Sequence, residues 1–565
     1  MAWPDKKRIR DGNPDFKSLI ESNGYYVDKT RFIEVLEDVG EFNVLLRPKR
    51  FGKSLFTSML QYYYDVRYKD EFDRLFGGLY IHDRPTELAH AFHVLKFDFS
   101  GIESDRDDLE TDFTFAVRSD IERFIEANGF DFRLSESAAK ANHLLKDFLG
   151  KYKNATGTKL YLLIDEYDNS ANGVLGKDFG FFTEITWKDG FVRSFYEVFK
   201  SYSGSVIDRI YITGVTPITL DALTSGFNHA NNISLDGRLA GMIGFTQGEL
   251  DEMLGYYDIP PVHRDVMAEY YDGYRFSGEE GAVHHVYNPT LAIYYLKSMV
   301  GKGKPPMELI DTRISTNPSA VRRMIDLYKD SAVKLDTLRA IFEKRNLEAG
   351  IQQKFNQEQF MEKQDDFVSM LYYLGLLTIQ DSTDNRSILT IPNRTVEDLY
   401  SHIYLGYVNH HLVPSIDALT AAVNDMLLDG HTDAFVGYVH HFLSYLDDHD
   451  FDHMNEQGIK NIFLAFLRLY QNMRVESEID VPGGRIDLAL FDTPLHTYAH
   501  YYVIELKYLS KAMDTPKNRT DKRLEAIKQL ERYRDYGPIA DLESRARVHR
   551  LVVLTIKDEV TVEEI

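Results

Sequence analysis

The chain has no cysteine, and this absence excludes disulfide bonds, thiolate metal sites and thiol catalysis. It also lacks any uninterrupted apolar run of roughly eighteen residues, the length that a membrane helix needs. The charged segment Met1 to Arg8 lacks the apolar core of a secretory signal. We therefore expect a cytoplasmic protein that does not contact membranes. A chain of 565 residues is too long for one core, so we expect about three to four domains.

Acidic residues outnumber basic ones, with 88 Asp and Glu against 65 Lys and Arg. The net charge of −23 means that the molecule as a whole repels a polyanion at long range. Residues 505–550 depart from this balance, because they contain twelve Lys or Arg residues and eight acids. A basic segment suits a phosphodiester substrate such as DNA, but an ordinary solvated helical face has the same composition. Both interpretations stay open at this level.

The most informative motif combines two apolar runs that each carry an acid. Asp487 lies in the run Gly484–Leu490, and Glu505 follows eighteen residues later, two positions before Lys507. Side chains two residues apart on a strand share a face, so paired strands would bring the three groups together. Two carboxylates can hold Mg²⁺ (or Mn²⁺). The alternative is a surface ion pair, which charged residues inside apolar runs disfavour.

This pattern, D-x(17)-E-x-K, resembles the active-site core of the PD-(D/E)XK nuclease superfamily. The resemblance implies that Asp487 and Glu505 bind magnesium. The backbone carbonyl of Leu506 is the candidate for a further metal ligand. Lys507 would position the attacking water or help to deprotonate it, and would stabilise developing negative charge.

The same resemblance implies two more site residues and a topology. In the superfamily a helix before the strands often contributes another acid, and Glu456 is the candidate metal ligand. A glutamine on a later helix lies close to the active site in related nucleases, and Gln529 occupies that position here. The apolar runs of the last hundred residues predict a mixed αβββαβ core.

A second phosphate-related motif lies near the N-terminus. The apolar run Phe42–Leu46 is followed by a loop and then by a helical pattern over Leu55–Tyr64, the context of a phosphate-binding loop. Of the general pattern G-x(4)-G-K-[ST], the final three residues are present, whereas Arg47 replaces the first glycine. Backbone amides, a lysine and a serine hydroxyl can still hold ATP and magnesium. The expected ligands are Arg50, Gly52, Lys53 and Ser54. A basic turn ahead of a helix is the alternative.

A matching strand end lies downstream. The apolar run Lys159–Ile164 ends in Asp165 and Glu166, as expected of a Walker B strand. Asp165 would join the magnesium shell and Glu166 would orient water. Binding requires only the loop, whereas turnover requires Glu166 or an equivalent and commonly an arginine. Whether ATP is hydrolysed therefore stays open.

Several further segments resemble the bacterial predicted AAA-ATPase-like family, whose members are similar to this chain over nearly its whole length. The segments are Asp15-Phe16, Tyr26–Thr30, Arg47–Ser54, Leu163–Asp168, Tyr271–Phe276 and Tyr287–Pro289. Arginine at the position of Arg47 fits this family. The resemblance implies an ATPase-like N-terminal region followed by a PD-(D/E)XK nuclease-like domain.

The expected fold class is α/β, and its N-terminal part is a P-loop ATPase-like domain with a parallel sheet. Its expected strands are Tyr25–Val27, Phe42–Leu46, His93–Phe97, Leu160–Ile164 and Arg209–Ile212. Helical patterns follow, and a helix stopped at Gly375 precedes a strand pair, which predicts a winged-helix-like module. Acids in its turn, Asp381 and Asp384, favour a packing role over DNA-groove binding.

Motif positions predict four units. They are an AAA/P-loop ATPase-like domain (1–255), a helical lid-like region (256–350), a winged-helix-like and helical linker region (351–449) and a PD-(D/E)XK nuclease-like domain (450–565).

Three functional hypotheses follow. The leading one is an ATP-binding, ATP-regulated, Mg²⁺-dependent nuclease that hydrolyses phosphodiester bonds in DNA, in defence or mobile-element control. The second is a signalling ATPase whose nuclease-like domain binds nucleic acid or a protein partner without cleavage. The third is a scaffold in which both sites are relics. A homo-oligomeric state stays open.

Overall fold

The computed structural model describes residues 6–102, 106–175, 177–187, 190–218, 220, 230–310, 318–328, 330–343, 346–355, 362–383, 386–409, 415–448, 451, 454–482, 484–533 and 536–565. The N-terminal region is a parallel sheet with helices around it. Its strands are β1 Phe42–Leu46, β2 His93–Asp98, β3 Leu160–Asp165, β4 Ile207–Gly214 and β5 Asn231–Asn232, in the order β2-β3-β4-β1-β5. This order brings the ends of β1, β3 and β4 together at one edge.

The helices around this sheet are amphipathic or largely buried. They are α1 Phe16–Glu21, α2 Phe32–Val39, α3 Lys53–Tyr64, α4 Phe72–Phe76, α5 Leu109–Ala127, α6 Ala141–Ala155, α7 Asn169–Leu175, α8 Phe179–Thr186 and α9 Phe191–Tyr202. The strands β1 and β3 are almost wholly buried, as expected of a parallel sheet covered on both faces.

The prediction of a strand at Tyr25–Val27 is wrong. Gly24 makes one isolated bridge to Arg8. Residues 25–27 pair with no strand of the described sheet, and its fifth strand is β5 instead. Tyr26 packs its ring against Phe16, while Tyr25 packs against Tyr256 on the other side. Neighbouring side chains of this segment therefore pack against two different parts of the protein, and the segment joins no sheet.

The middle of the chain is mostly helical. Its helices are α10 Gln247–Tyr256, α11 Val262–Tyr271, α12 Pro289–Lys302, α13 Pro318–Ile325, α14 Ser331–Phe342, α15 Gln364–Tyr373, α16 Arg394–Val408, α17 Ile416–Asn424 and α18 Asp433–Leu443. A small antiparallel sheet of β6 Leu347–Ala349, β7 Thr378–Ser382 and β8 Ser387–Thr390 has the order β6-β8-β7. The predicted helix followed by a hairpin is confirmed, and Gly375 ends the helix at a φ of +76°. Asp384 lies outside the described residues.

The C-terminal sheet is mixed. Its strands are β9 Arg474–Val481, β10 Gly484–Phe491, β11 His500–Leu509, β12 Arg547–Ile556 and β13 Glu559–Glu564, in the order β13-β12-β11-β10-β9, and only the β11–β12 pair is parallel. Helix α19 Glu456–Arg468 precedes it, and α20 Pro516–Arg532 and α21 Gly537–Glu543 connect β11 to β12. The predicted αβββαβ order is confirmed, with α21 and β13 in addition.

One continuous hydrophobic core includes side chains from the N-terminal sheet, the middle helices and one face of the C-terminal sheet. A second core lies among α10, α11 and α12, and a third covers the other face of the C-terminal sheet. The four predicted unit boundaries stay predictions. Within the described residues, no helix is both long and apolar enough to cross a membrane.

Candidate functional site

Glu505 and Lys507 lie side by side on β11, inside the C-terminal sheet. Their side chains are almost fully buried, at 1% and 2% exposure, and the Lys507 Nζ donates to Glu505 Oε1 at 2.9 Å. Burial alone would lower the pKa of Lys507, but the Glu505 carboxylate raises it above its ordinary value. The lysine therefore carries a positive charge beside this acid at neutral pH.

Asp487 reaches the same place from β10. The register pairs Leu488 with Ile504, so Asp487 is placed across from Glu505. Its Oδ2 accepts a hydrogen bond from the backbone N–H of Leu506 at 2.9 Å. Burial raises the pKa of Glu505 to about 8, and the neighbouring Asp487 carboxylate adds to the shift. Burial likewise raises the pKa of Asp487.

Glu456 joins these groups from the first turn of α19, which Asn455 caps. Glu456 Oε1 lies 3.5 Å from Lys507 Nζ, and its Oε2 accepts from the backbone N–H of Tyr508 at 3.4 Å. The structure thus brings Glu456, Asp487, Glu505 and Lys507 together.

At the other end of the chain, the loop Arg47–Ser54 leads from β1 into α3. Gly52 adopts a φ of +96° just before the helix, and Arg50 a φ of +71°. Lys53 is buried, and its Nζ donates to the carbonyl oxygens of Arg47 and Pro48 at 3.0 Å each. Burial lowers the pKa of Lys53, and Glu166 and Asp165 oppose this shift. The lysine and these acids therefore share one edge of the sheet.

The strand β3 ends at this edge in two acids with different environments. Asp165 is buried and accepts a hydrogen bond from the Thr213 hydroxyl of β4. Glu166 adopts a φ of +51°, and burial raises its pKa. Next to them, Asp168 accepts bonds from Val215 N and Thr216 N and from the Thr216 hydroxyl. Asp168 thus ties the turn after β3 to the end of β4.

A cavity of about 290 Å³ borders the loop, close to the lower end of the range for small-ligand pockets. On one side it is lined by the stretch from Arg50 to Phe56 and by Glu166. Apolar side chains form much of the rest, namely Ile9, Tyr25, Val27, Ile243, Phe245 and Ile293. The cavity lining therefore combines the backbone and charged groups of the loop with apolar side chains.

Two family models match this chain. Residues 10–224 match the predicted AAA-ATPase family, and residues 454–565 match the PD-(D/E)XK nuclease superfamily. The chain joins an AAA-ATPase-like region to a PD-(D/E)XK domain. Both predicted resemblances are confirmed.

A curated protein of Azotobacter chroococcum mcd 1, described as an uncharacterized protein in the vnfD 5'region, is 30% identical to this chain over 286 residues. The alignment covers 50% of this chain and 51% of that protein, so the chain spans about half the length of this relative. A solved structure, described as Drosophila ORC bound to GC-rich DNA and Cdc6, aligns with 81% of this chain and 64% of its own chain at 13% identity. Its TM-score of 0.21 is too low to support any structural argument.

In the PD-(D/E)XK domain, five buried side-chain oxygens have no hydrogen-bond partner among the described residues, namely Ser477 Oγ, Asp492 Oδ1, Glu505 Oε2, Gln529 Oε1 and Thr555 Oγ1. Of these, Glu505 Oε2 belongs to a predicted metal ligand, and Gln529 is on α20, which packs against β11. A buried carboxylate oxygen without a partner is costly unless a cation or water satisfies it. The described residues contain no group of three or more His, Asp or Glu side chains arranged to hold a metal. The predicted ligands of a divalent cation, Asp487, Glu505, Glu456 and the Leu506 carbonyl, stay a prediction.

Sequence reasoning missed three charged residues beside this site, namely Lys460, Glu478 and Arg485. Lys460 follows Glu456 by one helical turn on α19 and is buried, and it forms ion pairs with Glu478 of β9 and, at 3.8 Å, with Asp487. Arg485 contacts the other side of Glu478 at 3.1 Å. The i, i+4 spacing of Glu456 and Lys460 was a signal in the sequence, but it is equally typical of a solvent-exposed helix pair.

Proposed function

We propose that this protein is an ATP-binding nuclease that hydrolyses phosphodiester bonds in DNA with Mg²⁺ (or Mn²⁺), and that ATP regulates the cleavage. The observation that carries the proposal is the convergence of Asp487, Glu505 and Lys507 in a buried site where one carboxylate oxygen of Glu505 has no partner among the described residues. The family models support both halves of the proposal.

When bound, a divalent cation supplies charge neutralisation and a water that ionises near neutral pH. Asp487 and Glu505 provide the negative charge that would hold it. Lys507 provides a positive charge beside Glu505, suited to stabilise the negative charge that develops on a phosphate during hydrolysis. Gln529 offers an unpartnered oxygen to orient water or substrate.

DNA as substrate is supported by the helix beside the site. Helix α20 contains six Lys or Arg residues and three acids, and Lys517, Lys528 and Arg532 are exposed on it. Some of the other basic residues are paired internally, as Arg523 is with Glu563. An exposed basic helix next to a carboxylate site fits a nucleic-acid strand, although the protein as a whole has a negative net charge.

For ATP, the phosphates would lie along Arg50–Ser54 and the base against apolar side chains of the cavity. Ser54 and Asp165 would hold the nucleotide's Mg²⁺, and Glu166 would orient water if turnover occurs. A role in defence or mobile-element control, and a cytoplasmic location, remain part of the proposal.

The test is a cleavage assay with Mg²⁺ or Mn²⁺ on DNA and RNA, with and without ATP. We expect cleavage of DNA by the wild type and its loss in Asp487→Ala, Glu505→Ala and Lys507→Ala. Asp480→Ala is the matched control, because its carboxylate is exposed on the neighbouring strand. In a calorimetric ATP titration, Lys53→Ala should abolish binding and Lys49→Ala, in the exposed part of the loop, should retain it.

A second candidate is a signalling ATPase whose PD-(D/E)XK domain binds nucleic acid or a protein without cutting. The pairing of Lys460 and Lys507 with the site's acids favours it, because ammonium groups already neutralise part of the negative charge. Intact DNA after incubation of the wild type with both metals and ATP would support this candidate over the nuclease.

A further inference from the structure

Lys460 is a buried cation next to the proposed metal ligands. Its side chain is 5% exposed, and it reaches inward from α19, the helix that also carries Glu456. Its Nζ contacts Glu478 directly and lies 3.8 Å from Asp487 Oδ1. The second distance exceeds a hydrogen bond, so Glu478 is the closer partner and Asp487 the more distant one.

The two carboxylate oxygens of Asp487 face different partners. Its Oδ2 accepts the backbone N–H of Leu506, whereas its Oδ1 lies 3.8 Å from the Lys460 ammonium. Two positive charges compete for a single carboxylate oxygen when they approach it together. The closer the Lys460 ammonium lies to Asp487, the weaker is the attraction of Asp487 for a metal ion.

Glu478 is built into an unusual backbone. It adopts a φ of +55° inside β9, a conformation that costs free energy for a residue with a side chain. Its neighbours Ser477 and Ile479 pair with Leu488 and Ile486 of β10. Arg485 holds the outer side of its carboxylate at 3.1 Å. This arrangement fixes the Glu478 carboxylate beside Lys460.

We propose that Lys460 is an internal counter-cation that competes with the divalent metal for Asp487, and that Glu478 is a positioning residue that holds the ammonium away from Asp487. The inference rests on the proposed metal site. In this arrangement Glu478 promotes metal binding only through Lys460, and it is not itself a ligand.

The test measures Mn²⁺ binding to the nucleotide-free full-length protein by electron paramagnetic resonance, counting only the binding that Glu505→Gln removes. We expect Lys460→Met to tighten this binding about tenfold and Glu478→Gln to weaken it about tenfold, since the charges involved are close and buried. Glu476→Gln, two residues earlier on β9, is the control and should leave binding unchanged. Lys460→Gln replaces Lys460→Met if the latter does not fold.

The double variant Lys460→Met with Glu478→Gln shows whether Glu478 acts through Lys460 or whether the two charges act independently. If Glu478 acts through Lys460, then Glu478→Gln has no effect once Lys460 has been replaced. Additive effects in the double variant would overturn the proposed role of Lys460 and leave the metal site intact. If neither the wild type nor Lys460→Met shows Glu505-dependent binding, the metal site is refuted and this inference with it.

Discussion

The guanidinium group of Arg47 lies over the ring of Phe276, 4.1 Å from its centroid. Arg47 begins the predicted phosphate-binding loop, and Phe276 ends the segment Tyr271–Phe276, which starts at the last residue of α11. The Arg47 side chain is buried and donates to the carbonyl oxygens of Leu46 and Ser234, so it points into the core. Burial lowers its pKa to about 10. The residue that replaces the first glycine of the motif therefore anchors the loop to the middle region.

We expect Arg47→Met to destabilise the protein by about 1–3 kcal/mol, because it leaves two buried carbonyls without this donor and removes the contact with Phe276. The measurement is the thermal unfolding midpoint. Lys49→Met, at an exposed position in the same loop, should change the midpoint little. Equal midpoints for the two variants would contradict the anchoring role.

Gly273 provides a test of how closely the middle elements approach each other. It adopts a φ of +89°, and a Cβ atom there would lie 2.1 Å from the carbonyl oxygen of Pro392. Gly281 has a similar φ of +80° but open space around it. We expect Gly281→Ala to cost about 1–2 kcal/mol for the backbone conformation alone. Gly273→Ala should cost clearly more in urea unfolding, because a backbone group must move.

Stability should depend on pH through Glu505. Its pKa is raised from 4.5 to about 8, so the folded, metal-free protein binds a proton there that the unfolded chain releases. This contribution is fully present below pH 4.5 and is lost as the pH rises through 8. Between these values we expect the wild type to lose stability relative to Glu505→Gln. Thermal melts of both proteins in chelator across this range measure the difference, and parallel curves would contradict it.

Mg²⁺ should reverse this trend in the wild type, because a metal binds the ionised carboxylate and stabilises the folded state. The melting temperature with Mg²⁺ should therefore exceed that in chelator most strongly near pH 8. Glu505→Gln should show a smaller response.

Arg394 offers a way to separate the proposed regulation by ATP from the proposed cleavage itself. Its guanidinium pairs with Glu269 of α11 at 2.8 Å and donates to the carbonyl oxygens of Gln471 and Met473, just before β9. We expect Arg394→Met to keep basal DNA cleavage and to lose at least most of the effect of ATP on its rate. The assay compares rates with and without ATP. Arg386→Met is the control, because its partners Glu348 and Asp365 lie within the middle region.

Much of the site was accessible from the sequence because strands impose a simple geometry. Glu505 and Lys507 share a face through the two-residue period of β11, and Asp487 follows from pairing of neighbouring apolar runs. The later helix with Gln529 is α20, which begins at Pro516 after the Thr515 cap. The predicted order of elements follows from the same local patterns.

The sequence by itself determined the class of each half, because the loop, the acid-ended strands and the E-x-K pair are local patterns whose spacing carries the chemistry. Only the tertiary structure decided where Arg47 points, why Tyr25–Val27 forms no strand, and that Lys460 and Glu478 lie beside Asp487. These outcomes depend on partners far away in the chain. A buried ion pair is formed by packing of separate elements, and local spacing contains no information about which elements will meet.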